Sequence, residues 1–144
     1  MGVNWDAAVL TLRGSAAMSL TVPEELVRKA QAGAMTDDEF LACVQNSLPY
    51  AWSVVERLVK QYESGATIAE DGTVPPDDQA WGELLRFAAS DSMRGAVERK
   101  YGVRLAFQNC CKTGLFAPSA VKEYEEFVSP RAQILNQKPE LINC

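Results

Sequence analysis

The 144-residue chain is 47% hydrophobic, which is typical of one globular domain with a single core. Its 19 acidic and 14 basic residues give a formal net charge of −5, which argues against non-specific binding to nucleic-acid phosphates. The chain contains no histidine, which excludes Ser-His and Cys-His nucleophile pairs and most zinc and iron sites.

Four cysteines are present, at Cys43, Cys110, Cys111 and Cys144, and they form no C-x-x-C pair. We therefore expect neither a metal nor another cofactor. The vicinal Cys110 and Cys111 leave open a soft-metal site or a strained redox disulfide, although a free cysteine is usually a small buried hydrophobic residue. Since no signal peptide and no long apolar stretch is visible, we expect a cytoplasmic protein that does not cross a membrane.

Residues 1–17 carry one acid, one base and no clear helix cap. We interpret them as an N-terminal extension, an upstream start or a remnant of the expression system. Residues 18–144 have much stronger helix start and stop signals, and we expect them to form one domain.

Two helices are predicted at the start of this domain. Thr21 and Glu24 have the T-x-x-E spacing of a capping box, and the helix that follows should stop at Gly33. Thr36 and Glu39 repeat the same spacing and predict a second start.

The chain restarts at Pro49 with an amphipathic helix that should end before Gly65. Residues 65–76 are predicted to form one long loop, because Asp71-Gly72 is a turn signal and two prolines follow.

A further helix is predicted from Asp77, and another from Ser90 or Asp91 to Gly102. Residues 103–107 alternate briefly between apolar and polar side chains, so they are interpreted as a short strand or another helix start. Two short helices are predicted where a serine that can cap a helix lies next to a proline, at Pro118-Ser119 and at Ser129-Pro130. The predicted fold class is all-α (mainly α): one small domain of about six helices with one long loop.

Arg94, Arg99, Lys100 and Arg104 form the densest basic stretch of an acidic chain. Complementation of the helix dipole accounts for Arg99 and Lys100 near the predicted helix end. Arg94 and Arg104 are left over, and a guanidinium group suits a carboxylate on a ligand or on another helix.

Phe107 is followed by two neutral amides, Gln108 and Asn109, in a predicted loop. Each amide offers donors and acceptors, so the pair suits a peptide backbone, and it equally suits a helix cap or a turn. Asp91 and Glu98 are seven residues apart and share a helix face, which is interpreted as a solvated face rather than a catalytic carboxylate pair.

Residues 47–52 (SLPYAW), 102–110 (GVRLAFQNC) and 135–141 (LNQKPEL) resemble segments of a small actinobacterial family. Its members include the lysinoalanine synthases of cinnamycin- and duramycin-type lantibiotic biosynthesis, and the resemblance covers roughly residues 18–144. It implies an intertwined helical homodimer with binding sites at the subunit interface. The implied reaction adds a lysine amine of a modified lanthipeptide precursor to a dehydroalanine, with a hydroxylated aspartate of the peptide as base.

This resemblance predicts a macrocyclase that aligns its substrate and has no catalytic residue of its own, which suits a chain without histidine. The expected peptide-contacting residues are Arg94, Arg104, Phe107, Gln108 and Asn109, with Asp91 a weaker candidate. The expected partners are the precursor peptide and a second copy, not nucleic acid or a membrane. Two alternatives stay open: a non-enzymatic helical module that binds a peptide or protein, and a redox or metal protein that uses Cys110 and Cys111.

Overall fold

The computed structural model describes residues 19–108 and 111–141. The predictions about residues 1–17, Asn109, Cys110 and Cys144 fall outside these ranges. The described residues form seven helices and three strands. In chain order these are α1 Glu24–Gln31, α2 Asp37–Ser47, α3 Pro49–Glu63, β1 Ile68–Asp71, α4 Asp78–Ala88, α5 Asp91–Tyr101, β2 Arg104–Phe107, β3 Thr113–Phe116, α6 Val121–Phe127 and α7 Pro130–Leu135.

The prediction of an all-α fold is wrong, because the chain contains an antiparallel three-stranded sheet with the order β1-β3-β2. Strand β1 lies inside residues 65–76, which were predicted to be a loop, and β3 was not predicted. Each strand has only four residues, and all four residues of β3 are buried. So short a strand, buried on both faces, shows no alternation in the sequence. The fold is therefore mixed α and β.

Local capping signals predicted most helix starts correctly. Thr36 and Glu39 form the expected capping box, and Gly102 ends α5 in the left-handed conformation. The side chains of Asp77, Ser90 and Ser129 accept backbone N–H groups at the starts of α4, α5 and α7.

The capping box predicted at Thr21 is not formed. Helix α1 begins at Glu24 after Pro23, which has no side chain able to cap it. The backbone N–H of Thr21 donates instead to Ser47 Oγ at 2.9 Å, so this segment is tied to the end of α2.

The sheet separates two apolar layers. Alternate residues such as Leu105 and Leu115 face the main core, which includes side chains from helices α2 to α5. Ala106 and Phe116 face the opposite way and pack with Phe127 of α6 in a smaller cluster. Within the described ranges, the helices that cover the second face of the sheet are short, and an open groove lies here.

Among the helices of the described ranges, none combines the length and the apolar character needed to cross a membrane. The longest, α3, has 15 residues, whereas a bilayer core requires about 20.

Candidate functional site

A groove of about 520 Å³ lies between the second face of the sheet and helices α6 and α7. We call it the sheet–helix groove. Its apolar lining residues are Ile68, Phe116, Phe127, Ala132 and Leu135, and its polar ones are Glu70, Gln108, Lys112, Lys122, Glu123, Glu126, Arg131 and Asn136. The groove therefore has apolar walls and charges of both signs.

Local sequence signals place the helical wall. Ser129 accepts the N–H of Ala132 at 3.1 Å, and Pro130 begins α7, so the second short helix starts directly after the first one ends. The ring centroids of Phe116 and Phe127 are 5.2 Å apart in an edge-on arrangement. This contact joins α6 to β3 and fixes one side of the groove.

Gln108 is the most unusual polar group of the groove. Its side chain is buried, with 7% of the residue exposed, and its Nε2 donates to the carbonyl of Phe127 at 2.8 Å. Its backbone N–H donates to the carbonyl of Lys112 at 2.8 Å, which closes the turn between β2 and β3. The Oε1 atom is buried and has no hydrogen-bond partner. An unmet buried acceptor costs about 1–3 kcal/mol, so this carboxamide is held in the groove wall at a cost in stability.

Ion pairs organise the charged part of the groove. Lys112, which directly precedes β3, has its Nζ 3.5 Å from Oε2 of Glu70 in β1. The same Nζ lies 5.9 Å from the centroid of the Phe127 ring. Arg131 Nη1 lies 2.6 Å from Glu126 Oε1, between the two short helices. Because the three basic and three acidic lining residues balance, the groove does not select strongly for a charged ligand.

The structure separates the residues that were predicted to contact a peptide. Gln108 lines the sheet–helix groove. Phe107 faces the main core, where its ring centroid is 6.0 Å from that of Phe87. Arg104 is exposed and lies over the ring of Tyr124, with its Cζ 3.7 Å from the ring centroid, so it is beside α6 but not among the lining residues.

Arg94 and Asp91 lie elsewhere, on α5, where they form an ion pair one helical turn apart. Asp91 lines a different surface depression, together with Asp37 and Arg99. They are not part of the sheet–helix groove; the pairing uses Nη2 of Arg94, whose Nε is buried without a hydrogen-bond partner.

The other charged residues of α5 also make intramolecular contacts. Arg99 binds Asp37 with contacts of 2.7 and 3.0 Å, and Lys100 binds Asp38 at 3.0 Å, so both residues tie α5 to α2. Glu98 accepts the N–H of Leu105 at 2.8 Å and occupies part of the open edge of β2. The interpretation of Glu98 as part of a solvated face missed this contact.

Sequence reasoning missed Phe116, Phe127 and Lys112 as groove residues. Tyr124 and Phe127 are three residues apart on α6, a spacing that indicates a shared helix face. The sequence could not show which surface this face covers, because β3 had not been identified.

The two described cysteines that are free thiols, Cys43 and Cys111, are both buried. Burial raises the pKa of Cys111, an effect that the positive charge of Lys138 opposes, so its thiol is less ionised at neutral pH than an exposed one. Within the described ranges, no group of three or more cysteine, aspartate or glutamate residues is arranged to hold a metal ion.

Comparison with protein-family models gives a match over residues 18–144, to the family described as NucS shadow ORF and labelled KH_NucS_shadow. Comparison with curated proteins and with solved structures gives no significant match. The three segments that resemble lysinoalanine synthases all lie within the matched range, and the match is to a different family. The assignment to lysinoalanine synthases is therefore wrong: the chain belongs to the NucS shadow ORF family.

Proposed function

We propose that this protein is a non-enzymatic interaction module, and that it binds a peptide segment of a partner protein in the sheet–helix groove. The observation that carries the proposal is the buried, unpartnered Oε1 of Gln108 in the wall of the groove. The volume of about 520 Å³ lies within the roughly 300–1,000 Å³ of ordinary ligand pockets. Formation of a lysinoalanine stays an untested prediction, and no feature of the groove adds to it.

The chemistry of Gln108 favours a peptide over an anion. Its Nε2 is already used by the carbonyl of Phe127, which fixes the orientation of the amide and leaves Oε1 as its free acceptor. The ligand must therefore supply a hydrogen-bond donor. A peptide backbone N–H supplies one, and neighbouring side chains of the peptide can contact apolar groove residues such as Phe116 and Leu135.

Two adjacent exposed residues of α7 provide a matched pair of variants. Leu135 is 64% exposed and lines the groove, whereas Ile134 is 71% exposed and does not line it. Leu135→Glu and Ile134→Glu make nearly the same chemical change on the same short helix. Only the first places a new carboxylate at the groove.

The test is selection of peptides from a randomised library displayed on phage, followed by affinity measurement of the selected peptides by fluorescence anisotropy. We expect Leu135→Glu to weaken binding by about tenfold or more, since an unpaired charge at an apolar contact costs more than about 1.4 kcal/mol. Ile134→Glu should leave the affinity within about twofold of wild type. No selected peptide, or an equal loss in both variants, would show that the groove is not the binding site.

Single-stranded nucleic acid is a second candidate ligand, because the family label contains the term KH. KH modules clamp nucleotides with a GXXG loop. This chain contains no G-x-x-G sequence, and acidic Asp91 follows the turn between α4 and α5. Together with the net charge of −5, these features favour the peptide.

Labelled single-stranded DNA and RNA oligonucleotides distinguish the two candidates. We expect no binding at about 0.15 M salt, a concentration at which screening limits surface electrostatic attraction to about 8 Å. Saturable binding of an oligonucleotide that Leu135→Glu leaves unchanged would favour the KH function over the peptide groove.

A further inference from the structure

The two edge strands of the sheet, β1 and β2, differ in how their outward backbone groups are satisfied. In an antiparallel pair, alternate residues turn their N–H and C=O groups toward the neighbouring strand, and the residues between them turn these groups away. The N–H of Ala117 donates to the carbonyl of Thr67 at 2.8 Å, which fixes this alternation along β1. The backbone groups of Ile68 and Glu70 therefore point away from β3, toward the open edge.

At the β2 edge, an outward group already has a partner within the fold. The N–H of Gln108 donates to the carbonyl of Lys112 at 2.8 Å, so by the same alternation the N–H of Leu105 points away from β3. It donates to Oε2 of Glu98 at 2.8 Å, and this side chain from α5 occupies part of the edge. The β2 edge is therefore partly closed to another strand.

The open stretch of β1 is short and has defined ends. Before it, the N–H of Ala66 donates to a carbonyl of α3 at 3.1 Å. After it, the carbonyl of Gly72 accepts from Sγ of Cys111 at 3.7 Å. Between these ends, within the described ranges, no hydrogen bond reaches the outward N–H and C=O groups of Ile68 and Glu70. A short extended peptide has the alternating donors and acceptors that would satisfy them.

This open edge borders the sheet–helix groove. Ile68 and Glu70 both line the groove, because alternate side chains of a strand face the same side of the sheet. A peptide paired with the edge would continue the sheet, so every second side chain of the peptide would lie on the groove side. The edge and the groove of about 520 Å³ therefore form one continuous surface.

We propose that the peptide binds as an extended fourth strand, antiparallel to β1, along Ile68 to Glu70. This inference rests on the proposed function and adds the binding mode and the sequence preference of the partner. Main-chain hydrogen bonds to the edge hold the peptide, and its alternate side chains contact the groove. The antiparallel direction continues the pattern of the sheet and gives slightly stronger pairing than the parallel one.

The side chains of β1 give the peptide a sequence preference. A basic residue is favoured opposite Glu70, whose side chain is 47% exposed, and an apolar residue is favoured opposite Ile68. Because the peptide runs antiparallel to β1, the preferred order is a basic residue, any residue, then an apolar residue. Lys112 lies 3.5 Å from the Glu70 carboxylate and offsets part of its charge, so the basic preference is modest, about two- to fivefold in affinity.

A second copy of this chain does not complement the edge in charge. Strand β1 has the sequence IAED, with two acids and no base. Antiparallel pairing of β1 with itself therefore gives Glu70 no basic residue of the partner strand. A different chain that carries a basic residue matches the edge better.

The test is an N-methyl scan of a selected peptide, in which each backbone nitrogen is methylated in turn and the affinity is measured by fluorescence anisotropy. Methylation of either residue opposite Ile68 or Glu70 removes a hydrogen bond to β1 and should weaken binding by about tenfold or more. The residue between them turns its N–H away from β1, so its N-methyl form is the matched control and should bind within about threefold of the parent.

The scan separates failure of the binding mode from failure of the proposed function. A peptide that binds the wild type, loses affinity in Leu135→Glu and shows no alternation along the scan would overturn strand addition and leave the groove as the binding site. If no peptide is selected at all, the proposed function fails together with this inference.

Two variants of one residue test the edge from the side of the protein. Glu70→Ala removes only the carboxylate, and it should abolish the preference for a basic residue. Glu70→Pro also removes the outward N–H, and it should bind about tenfold more weakly than Glu70→Ala. Proline is tolerated on an edge strand where the N–H faces solvent, so Glu70→Pro should fold, which circular dichroism checks. If it does not fold, the N-methyl scan decides alone.

Two results with folded variants would overturn the proposal. Equal affinities of Glu70→Pro and Glu70→Ala would show that the peptide does not bond to the outward N–H. A dimer in sedimentation that Glu70→Pro dissociates would show that a second copy, and not a peptide, occupies the edge.

Discussion

Gly114→Ala is the substitution whose effect follows most directly from the geometry of the sheet. A Cβ at this position would lie 2.7 Å from Cε2 and 2.9 Å from Cζ of Phe116, and 3.1 Å from Cε2 of Phe127. Carbon atoms in contact are normally about 3.5–4.0 Å apart. The two rings would therefore have to move by several tenths of an ångström or more.

The Phe116 ring is held tightly by its neighbours, although both rings also border the groove. Phe116 is 1% exposed, and its ring also contacts Tyr124 with the centroids 5.5 Å apart. Overpacking of this kind costs about 1–3 kcal/mol, and we expect the upper part of that range, about 2–3 kcal/mol. For a chain of this size, the expected decrease in melting temperature is roughly 5–10 °C.

Urea unfolding, followed by circular dichroism, measures the free energy of unfolding of Gly114→Ala directly. The variant should also bind the selected peptides more weakly, because both displaced rings line the groove. An unchanged free energy of unfolding would refute the reasoning, since it would require that the aromatic cluster is not packed as described.

Three further predictions concern the helices and the buried ion pair. Gly95→Ala should increase the free energy of unfolding by about 0.5–1 kcal/mol, because alanine favours a helix interior. The added Cβ meets only the flexible end of Arg99, at 3.3 Å. A lower free energy of unfolding, measured with urea, would contradict this prediction. Thr36→Ala should cost about 1 kcal/mol by removing the cap of α2, and Thr36→Ser should restore most of that loss. Burial raises the pKa of Asp71, but Arg57 and the N–H of Thr73 outweigh burial and lower it, so the ionised carboxylate stabilises the fold above its unfolded pKa. This stabilisation should disappear as the pH falls from about 4 through the lowered pKa. The free energies of unfolding of wild type and Asp71→Asn, measured with urea at each pH, should therefore differ less and less over that range.

Helix starts were predictable because a cap is a contact between neighbours in the sequence. Thr36 and Ser90 each accept an N–H three residues ahead, so the residues that decide the structure lie within one short segment. Thr21 has the same spacing but caps no helix: α1 has Pro23 as its N-cap, and the Thr21 N–H donates to Ser47, which is 26 residues away. A local rule does not detect such a competitor.

The sheet was missed for the same physical reason. Strand β1 receives its hydrogen bonds from β3, and the paired residues Ile68 and Phe116 are 48 positions apart. Nothing within residues 65–76 distinguishes a four-residue edge strand from a loop that ends in prolines. Only β2 was considered as a strand, since residues 103–107 show some alternation.

The candidate site was predictable only in its chemistry. Gln108 was selected because a carboxamide can bind a peptide backbone; it lines the groove, and its Oε1 is buried without a partner. The partner that fixes its orientation, the carbonyl of Phe127, is 19 residues away and could not be inferred. Arg94 was selected for a free guanidinium, but Asp91 on the same helix pairs with it.

Gln108 and Thr113, each with a buried oxygen that has no partner, lie at the same end of the sheet. Asp71 and Thr113 form the terminal row of residue pairs, and Gln108 follows the strand that completes this row. Helices on both faces bury this end, so polar atoms there lose contact with water, yet Gln108 Oε1 and Thr113 Oγ1 gain no partner. Stability alone would favour apolar side chains of similar shape at both positions. Both faces of this end of the sheet therefore keep a polar atom at a cost in stability.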